Sequence, residues 1–461
     1  MISRTALEYR EDSGHYFERI RTLGDAVWLD SGRPLSRYGR YDILAAAPEF
    51  VVRYDRGALY LERDGNRTLL DEAPFDALKR LLAEYPAPPT DPDLPFCGGL
   101  IGHFGYDLGR ALEQLPDRAV DDIEFPEMRV GFYAWALVVD HQKARAELVA
   151  LDSVAPQQLA DIKERLNTGR PADNALPFRL RAPFGNDLSR EQYNRALARI
   201  DDYIHAGDCY QVNFTQRFSS QYEGDPWQAY RRLREAAPTP YSAYLESEDG
   251  TVLSLSPEQF LGSDGHQVTT KPIKGTRPRS ADATEDAHLK QELRESIKDR
   301  AENLMIVDLL RNDLGKVCTF GTVKVPRLFA VESYANVHHL VTTVTGSLAP
   351  GQHPLDLLAS CFPGGSITGA PKIRAMEIID ELEPQRRNIY CGSIGYISLC
   401  GRMDTSITIR TLLCEQGRIY CWAGGGIVAD SVTEQEYEET YSKVNNLLKT
   451  LEATCNANAG D

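Results

Sequence analysis

Lys274 lies in the stretch Lys271-Pro-Ile-Lys-Gly-Thr-Arg-Pro-Arg279, wedged between Ile273 and Gly275, with Pro272 and Pro278 stiffening both flanks. Its amine therefore rides on a short, restricted loop instead of a mobile surface arm. Such an amine is a nucleophile only while unprotonated, which requires a pKa drawn down from about 10.4 by burial or by neighbouring positive charge. Lys271, Arg277 and Arg279 supply such charge locally, and a bound metal ion would supply more. The plainer alternative is a basic loop that holds a phosphate or a carboxylate.

Acidic residues recur on two segments of helical periodicity. In residues 285 to 313, Leu293, Ile297, Ala301, Leu304 and Val307 trace an apolar stripe, and Asp299 and Glu302 stand one turn apart on a neighbouring face beside Lys298. From Val432 to Leu451, Glu436, Glu439 and Lys443 share one face. Each pair alone reads as a solvated helix face. Converging, they would form the open, all-oxygen site that suits Mg2+, an ion that gives up its waters reluctantly. Thr405-Ser-Ile-Thr-Ile-Arg410 is a strand ending in arginine, and Trp422-Ala-Gly-Gly-Gly-Ile-Val428 offers backbone N–H groups near its glycines. An arginine fork beside a glycine turn makes a carboxylate clamp, although a tight corner explains the glycines equally well.

Other patterns are weaker. Phe362-Pro-Gly-Gly-Ser-Ile-Thr-Gly-Ala-Pro-Lys372 fails as a Walker A loop, because Ala370-Pro371 displaces the lysine and no Ser or Thr follows it. His338 and His339, adjacent on a strand, point to opposite faces, so at most one reaches a site. Gly98-Gly-Leu-Ile-Gly-His-Phe-Gly-Tyr106 lacks nucleotide-loop spacing and reads as close backbone packing.

The elements that must hold these residues follow an irregular order. Strand-like runs at Ala26–Leu29, Phe50–Tyr54 and Ala58–Glu62 precede a helix at Pro74–Ala83. Val130–Val139 reads as one long buried strand, paired with Arg145–Leu151 across the turn Asp140-His-Gln-Lys143. Thr168 to Asn186, polar and carrying three prolines, reads as a linker or crossing loop. Ser189 and Gln192 then form a capping box for a helix with Tyr193, Leu197, Ile200 and Ile204 on one face, closed by Gly207. Strands follow at Cys209–Phe218, Val252–Glu258 and Gln267–Thr270, and a second helix starts at Asp225-Pro226. Strands and helices in separate blocks favour an α+β class over a βαβ repeat.

A chain of 461 residues, 42% hydrophobic, can bury a large core. A formal charge of -16 argues against nucleic acid or an anionic membrane as the main partner. No run of eighteen apolar residues and no signal-peptide layout is present, and nine scattered cysteines without a Cys-x-x-Cys pair give neither a disulfide framework nor a zinc site. A cytoplasmic protein with reduced thiols is expected.

Five motifs occur in one order: Ser256-Pro-Glu258; Pro272-Ile-Lys-Gly-Thr276; Ala301-Glu-Asn-Leu-Met-Ile-Val-Asp-Leu-Leu-Arg-Asn-Asp-Leu-Gly315; Pro363-Gly-Gly-Ser-Ile-Thr-Gly-Ala-Pro-Lys372; and Glu436-Tyr-Glu-Glu-Thr-Tyr-Ser-Lys443. With them the region from about Ser189 to Leu451 resembles the chorismate-utilising enzymes. The resemblance implies a large αββα sandwich of two antiparallel sheets with outer helices. It divides the chain into residues 1–170, similar to the N-terminal region of anthranilate synthase component I, and 171–461, a chorismate-binding catalytic domain.

Within that family, anthranilate-forming members usually carry alanine where this chain has Lys274, and members that aminate chorismate at C4 carry lysine. Members that add water place a lysine where this chain has Gln211. The resemblance thus implies conversion of chorismate and ammonia to 4-amino-4-deoxychorismate, toward p-aminobenzoate and folate. Formation of anthranilate, toward tryptophan, is the alternative. It implies Mg2+ held directly by Glu302 and Glu439 and through water by Asp299 or Glu436. Lys274 is the implied nucleophile and Glu258 the implied general acid. Arg410, Tyr390, Gly424, Gly425 and Gly426 are implied to grip the enolpyruvyl carboxylate, and Thr276, His339 and Lys443 to line the ring end. No glutaminase segment such as Gly-x-Cys-x-Gly occurs, so a separate glutamine amidotransferase subunit is the implied ammonia source. Ser31, Pro240, Tyr241 and Ser242 resemble a tryptophan pocket of relatives, with Asp30 standing where many have glutamate or another residue.

Overall fold

The computed structural model describes residues 2–36, 39–169, 176–334 and 337–455. Two antiparallel sheets of 13 and 12 strands, with helices, give a mixed α+β architecture. In the first sheet the strands Val27–Asp30 and Tyr41–Ala45 lead through Tyr241–Ser247, Gly250–Ser256, Thr411–Glu415 and Arg418–Ile427 to Gln211–Glu223. The second runs from Ile273–Pro278 at one edge through Val337–Ser347, Gln267–Thr270, Gln259–Ser263, Met403–Ile407 and Ser393–Ser398 to Gly99–Phe104 and Met128–Tyr133. Strands from before residue 170 and after residue 176 thus share both sheets, so the two expected segments build one hydrogen-bonded framework. Residues 170–175, and with them the expected boundary, lie outside the described residues. The rest of the expected crossing loop includes two short strands, Arg179–Leu180 and Gly185–Asn186.

One large apolar cluster joins the sheets. Val52, Val130 and Ile394 of the second sheet and Trp28, Leu253 and Leu412 of the first belong to it, with Tyr230 and Leu447 from two helices. Local signals predict several elements accurately. Ser189 and Gln192 make both hydrogen bonds of the capping box at the start of Arg190–His205, an arrangement worth about 1 kcal/mol. Close packing also accounts for the glycines near residue 100: a Cβ on Gly102 would lie 2.2 Å from the Arg129 carbonyl oxygen.

Three expectations are corrected. The buried run expected as one strand from Val130 to Val139 is two, Met128–Tyr133 in the second sheet and Trp135–Asp140 in the first. Burial on both faces erases the alternation that would mark the crossing. The helical stretch 285 to 313 is two helices, Ala283–Glu295 and Ile297–Gly315, broken at Ser296, whose hydroxyl caps the second by accepting from the Asp299 N–H. That break rotates the buried stripe to Asn303, Ile306, Val307, Leu310 and Leu314, leaving Ile297 and Leu304 exposed. The Lys274 loop is a strand, Ile273–Pro278. Among the described residues, no helix is long and apolar enough to cross a membrane.

Candidate active site

The site forms where the chain changes sheets. Gly250–Ser256 belongs to the first sheet and Gln259–Ser263 to the second, which leaves Glu258 at the corner between them. Met403–Ile407 and Thr411–Glu415 make the reverse crossing, with Arg410 at the corner in a left-handed conformation, φ 51°. The two corners are tied together: Ile407 N–H donates to the Glu258 carbonyl at 3.1 Å, and Leu255 N–H to that of Arg410 at 3.0 Å.

Lys274 reaches this corner from a β-bulge. Ile273 stands opposite Val341 and Thr276 opposite His339, so two residues, Lys274 and Gly275, face only one on the partner strand. Gly275 absorbs the bulge at φ +83°, and a Cβ there would lie 2.8 Å from the Asp299 carboxyl. Lys274 Nζ donates to the Ser366 carbonyl at 3.1 Å, while the Ser366 hydroxyl donates to Glu258 Oε1 at 3.1 Å. One serine thus links the candidate nucleophile to the candidate acid. The stem of Lys274 is partly open, but its amine is enclosed. Burial draws its pKa below the ordinary value, helped by Lys443 and opposed by Glu302, Glu258 and Glu439. Burial pushes Glu258 up to about 7, against the pull of Lys274 and of the Ser366 hydrogen bond. A lowered amine beside a raised carboxyl is the pairing that nucleophilic and general acid chemistry require near neutral pH.

The helices Ile297–Gly315 and Thr433–Glu452 bring the acidic residues together. Lys298 Nζ lies 4.0 Å from Glu302 Oε1 and 3.8 Å from Glu436 Oε1, bridging carboxylates of both helices. Burial raises the pKa of Glu302, with Asp299 and Glu436 adding to it against Lys274 and Lys298. For Glu439, burial is outweighed by Lys443, paired at 2.7 Å, and the pKa falls below the ordinary range. Gly425 lets these groups approach the sheet: a Cβ there would meet Glu436 Oε2 at 3.2 Å and Lys443 Nζ at 3.6 Å. Lys443 also donates to the Gly424 carbonyl at 2.8 Å.

Among the described residues, no three His, Cys, Asp or Glu side chains stand together closely enough to hold a metal ion directly. The carboxylates here are all oxygen donors, and in this structure Lys298 and Lys443 balance part of their charge. Glu302 and Glu439, with Glu436 or Asp299 reached through water, are an oxygen set of the kind a Mg2+ ion that keeps its waters accepts. Asp299 accepts from Arg277 Nη2 at 3.2 Å, placing it at the rim of this group.

Arg410 makes no hydrogen bond or ion pair with any described side chain, and burial lowers its pKa. A half-buried guanidinium without an anion is set to receive one. Its charge, after burial and with His338, holds His339 near 3 and neutral. His339 Nδ1 is 2.8 Å from the Thr276 hydroxyl. His338 points away, 3.1 Å from Asp286, as alternation on a strand requires. Tyr390 is buried and stacked on Trp422, with centroids 6.0 Å apart. The Gln211 amide is fully buried, makes no hydrogen bond with a described residue, and abuts Gly426.

Two supporting residues escape sequence reasoning. Ser366 stands in a motif whose local pattern suggests only a failed phosphate loop. Arg387, 1% exposed, donates to the Ile367 and Asn213 carbonyls and pairs with Glu383 at 2.7 Å, fixing the turn that carries Ser366. No local pattern marks it. Away from this site, Ser31, Pro240, Tyr241 and Ser242 line a second cavity of about 260 Å³, with Tyr396 and Asp404. Asp30 borders it, paired with Arg234 at 2.6 Å.

A profile of the chorismate binding enzymes matches residues 24–449. The chain belongs to this family. Among its chorismate-binding relatives, aminodeoxychorismate synthase component 1 of Salmonella typhimurium is 51% identical over 97% of both chains. Anthranilate synthase component 1 of Thermus thermophilus is 46% identical over 90% of each. The crystal structure of anthranilate synthase component I from Streptococcus pneumoniae matches with a TM-score of 0.79 and 32% identity, over 90% of this chain and 93% of that one. In this family member the corner that holds Lys274, Glu258 and Arg410 is therefore the place to look for chemistry.

Proposed function

We propose that this enzyme replaces the C4 hydroxyl of chorismate with an amino group, giving 4-amino-4-deoxychorismate with its enolpyruvyl group retained. The observation that carries the reading is the chain Lys274, Ser366, Glu258: an amine relieved of part of its proton affinity, one residue away from a carboxyl held up to about 7. The similarity to aminodeoxychorismate synthase component 1 over nearly the whole chain supports it.

Arg410 receives the enolpyruvyl carboxylate against the backbone of Gly424 to Gly426, and His339, Thr276 and Lys443 flank the ring. Glu302 and Glu439, with Glu436 or Asp299 through water, would hold Mg2+, which would supply positive charge to offset that of the ring carboxylate. Lys274 Nζ attacks C2, the ring double bonds shift, and the C4–O bond breaks. The hydroxyl leaves as water with the proton from Glu258, and the carboxylate so formed takes the proton shed by the lysine nitrogen, leaving the new C–N bond neutral. Ammonia then adds at C4, the double bonds return, and the C2–N bond breaks to free Lys274. The sum is chorismate and ammonia to aminodeoxychorismate and water. Neutral His339 adds no competing proton source at the ring, and the enclosed corner limits attack by water. Ammonia comes from a separate glutamine amidotransferase subunit, a reading supported by the word "component" in the relatives' names. The second cavity is proposed to take tryptophan, on the polar and aromatic lining supplied by Ser31, Tyr241, Ser242 and Tyr396.

Purified protein with chorismate, Mg2+ and ammonium is the direct test, read by chromatography before and after adding a lyase that releases p-aminobenzoate. Aminodeoxychorismate is expected. Fluorescent anthranilate without any lyase would favour the second reading, for which the Thermus relative speaks.

A further inference from the structure

Cys97 and Cys400 lie outside the catalytic corner, at the far end of the ladder between Gly99–Phe104 and Ser393–Ser398. Gly99 stands opposite Ser398, and Leu399 N–H donates to the Gly98 carbonyl at 2.9 Å. Cys400 lies in the turn that follows, packed against the small apolar cluster that contains Cys97. Gly99 keeps the strands close here, since a Cβ on it would lie 2.4 Å from the Ile397 carbonyl oxygen. Both thiols turn toward one hydroxyl: Ser398 Oγ is 3.2 Å from Cys97 Sγ and 3.4 Å from Cys400 Sγ.

The two sulfurs differ in access. Cys97 is buried, and Cys400, on the turn before Met403, is partly open to solvent. Six of the other cysteines, Cys209, Cys318, Cys361, Cys391, Cys414 and Cys421, are buried without this arrangement.

We propose that Cys97 and Cys400 form a reversible disulfide, making this corner a thiol modification site that responds to hydroperoxides. Cys400 is the attacking sulfur. Its thiolate takes the terminal oxygen of hydrogen peroxide, the O–O bond breaks, and the hydroxide released is protonated to water. Cys97 sulfur then attacks the sulfenic sulfur of Cys400. The S–O bond breaks, and hydroxide leaves as water with the proton of the Cys97 thiol. Two thiols and one peroxide give one disulfide and two waters, the thiol pair losing two electrons. A small dithiol reverses the bond by exchange. The hydrogen bond with Cys97 first, then the contact with Ser398, the Arg402 N–H and the Arg402 charge, lower the pKa of Cys400 against the effect of burial. An accessible, lowered thiol beside a buried resolving thiol is the pattern of oxidation-sensitive pairs. Because the bond would join the segment before Gly99 to the turn before Asp404, it staples the two halves of the chain beside the second cavity, which Tyr41 and Asp404 line.

The test uses the full chain, treated under native conditions with hydrogen peroxide, alkylated, and digested without reduction for mass spectrometry. A Cys97–Cys400 peptide pair, lighter by two hydrogens and lost on adding dithiothreitol, is expected as the dominant oxidation product. Cys97→Ser should stop at a sulfenic acid on Cys400 that dimedone traps, and Cys400→Ser should yield no cross-link at Cys97. Thermal melting of both variants checks that they fold. Recovery of Cys97 fully alkylated while Cys400 proceeds to sulfinic acid in the unmutated protein would overturn the proposal, as would both thiols remaining unoxidised.

Discussion

Replacing Glu258 with glutamine should stabilise the folded protein above neutral pH while removing its catalysis. The carboxyl is raised from 4.5 to about 7 by burial, so the folded chain holds this proton more tightly than the unfolded chain does. Stability therefore falls as pH rises from 4.5 through about 7, and the loss is complete above that. At about 1.4 kcal/mol for each pH unit, the cost of keeping an ionised Glu258 in place is about 3 kcal/mol. Glutamine has the same shape, still accepts from the Ser366 hydroxyl, and carries no charge to desolvate. With an unfolding entropy of roughly 2.1 cal/mol/K per residue, 461 residues give about 1 kcal/mol/K. Glu258→Gln should then melt about 3 °C above the unmutated protein at pH 8, with the difference shrinking to nothing toward pH 4.5. Turnover at pH 7 should drop by about 10²–10⁴-fold, the usual worth of a general acid. Scanning calorimetry across this range, paired with product assays, makes the check. A melting difference that ignores pH, or a variant less stable at pH 8, would refute the reasoning that burial poises this group.

Other perturbations follow from the same corner. Ser366→Ala removes a hydrogen bond that favours the ionised form of Glu258, so the alkaline limb of kcat/KM should move up by about one pH unit; Ser366→Thr should restore its place. Arg410→Ala should lower kcat/KM by about 100-fold, roughly two charge-assisted hydrogen bonds to a carboxylate, mostly through KM, and an unchanged KM would remove the clamp. Chelation with EDTA should abolish turnover and excess Mg2+ should restore it, and activity that persists in the chelator would contradict the role given to Glu302, Glu436 and Glu439.

Features written in a few neighbouring residues are legible from the amino-acid order alone. The capping box at Ser189 and Gln192 is one, and the shared face of Glu436, Glu439 and Lys443 is another, because helix geometry alone sets both. Features made by two distant segments are hidden. The bulge that presents Lys274 exists only against Val341 and His339, so a stretch that reads as a stiff loop folds as a strand. The break at Ser296 is masked by good helix formers on both sides, and an unbroken helix would put Ile297 and Leu304 on the buried stripe, where they are not found. The turn from one sheet to the other at Ala134 leaves no mark, since both flanking strands are apolar throughout. Ser366 is hidden differently: its carbonyl serves one partner and its hydroxyl another, and residue type reveals neither.

The central claim is that Lys274 bonds to the substrate ring before ammonia does. Intact-protein and peptide mass spectrometry after incubation with chorismate and Mg2+, without any ammonia source, addresses it most directly. The account predicts an adduct on Lys274 with the mass of chorismate less one water, absent from Lys274→Ala and discharged by added ammonium. Unmodified Lys274 in an enzyme that makes aminodeoxychorismate once ammonium is supplied, or full activity in Lys274→Ala, would contradict it.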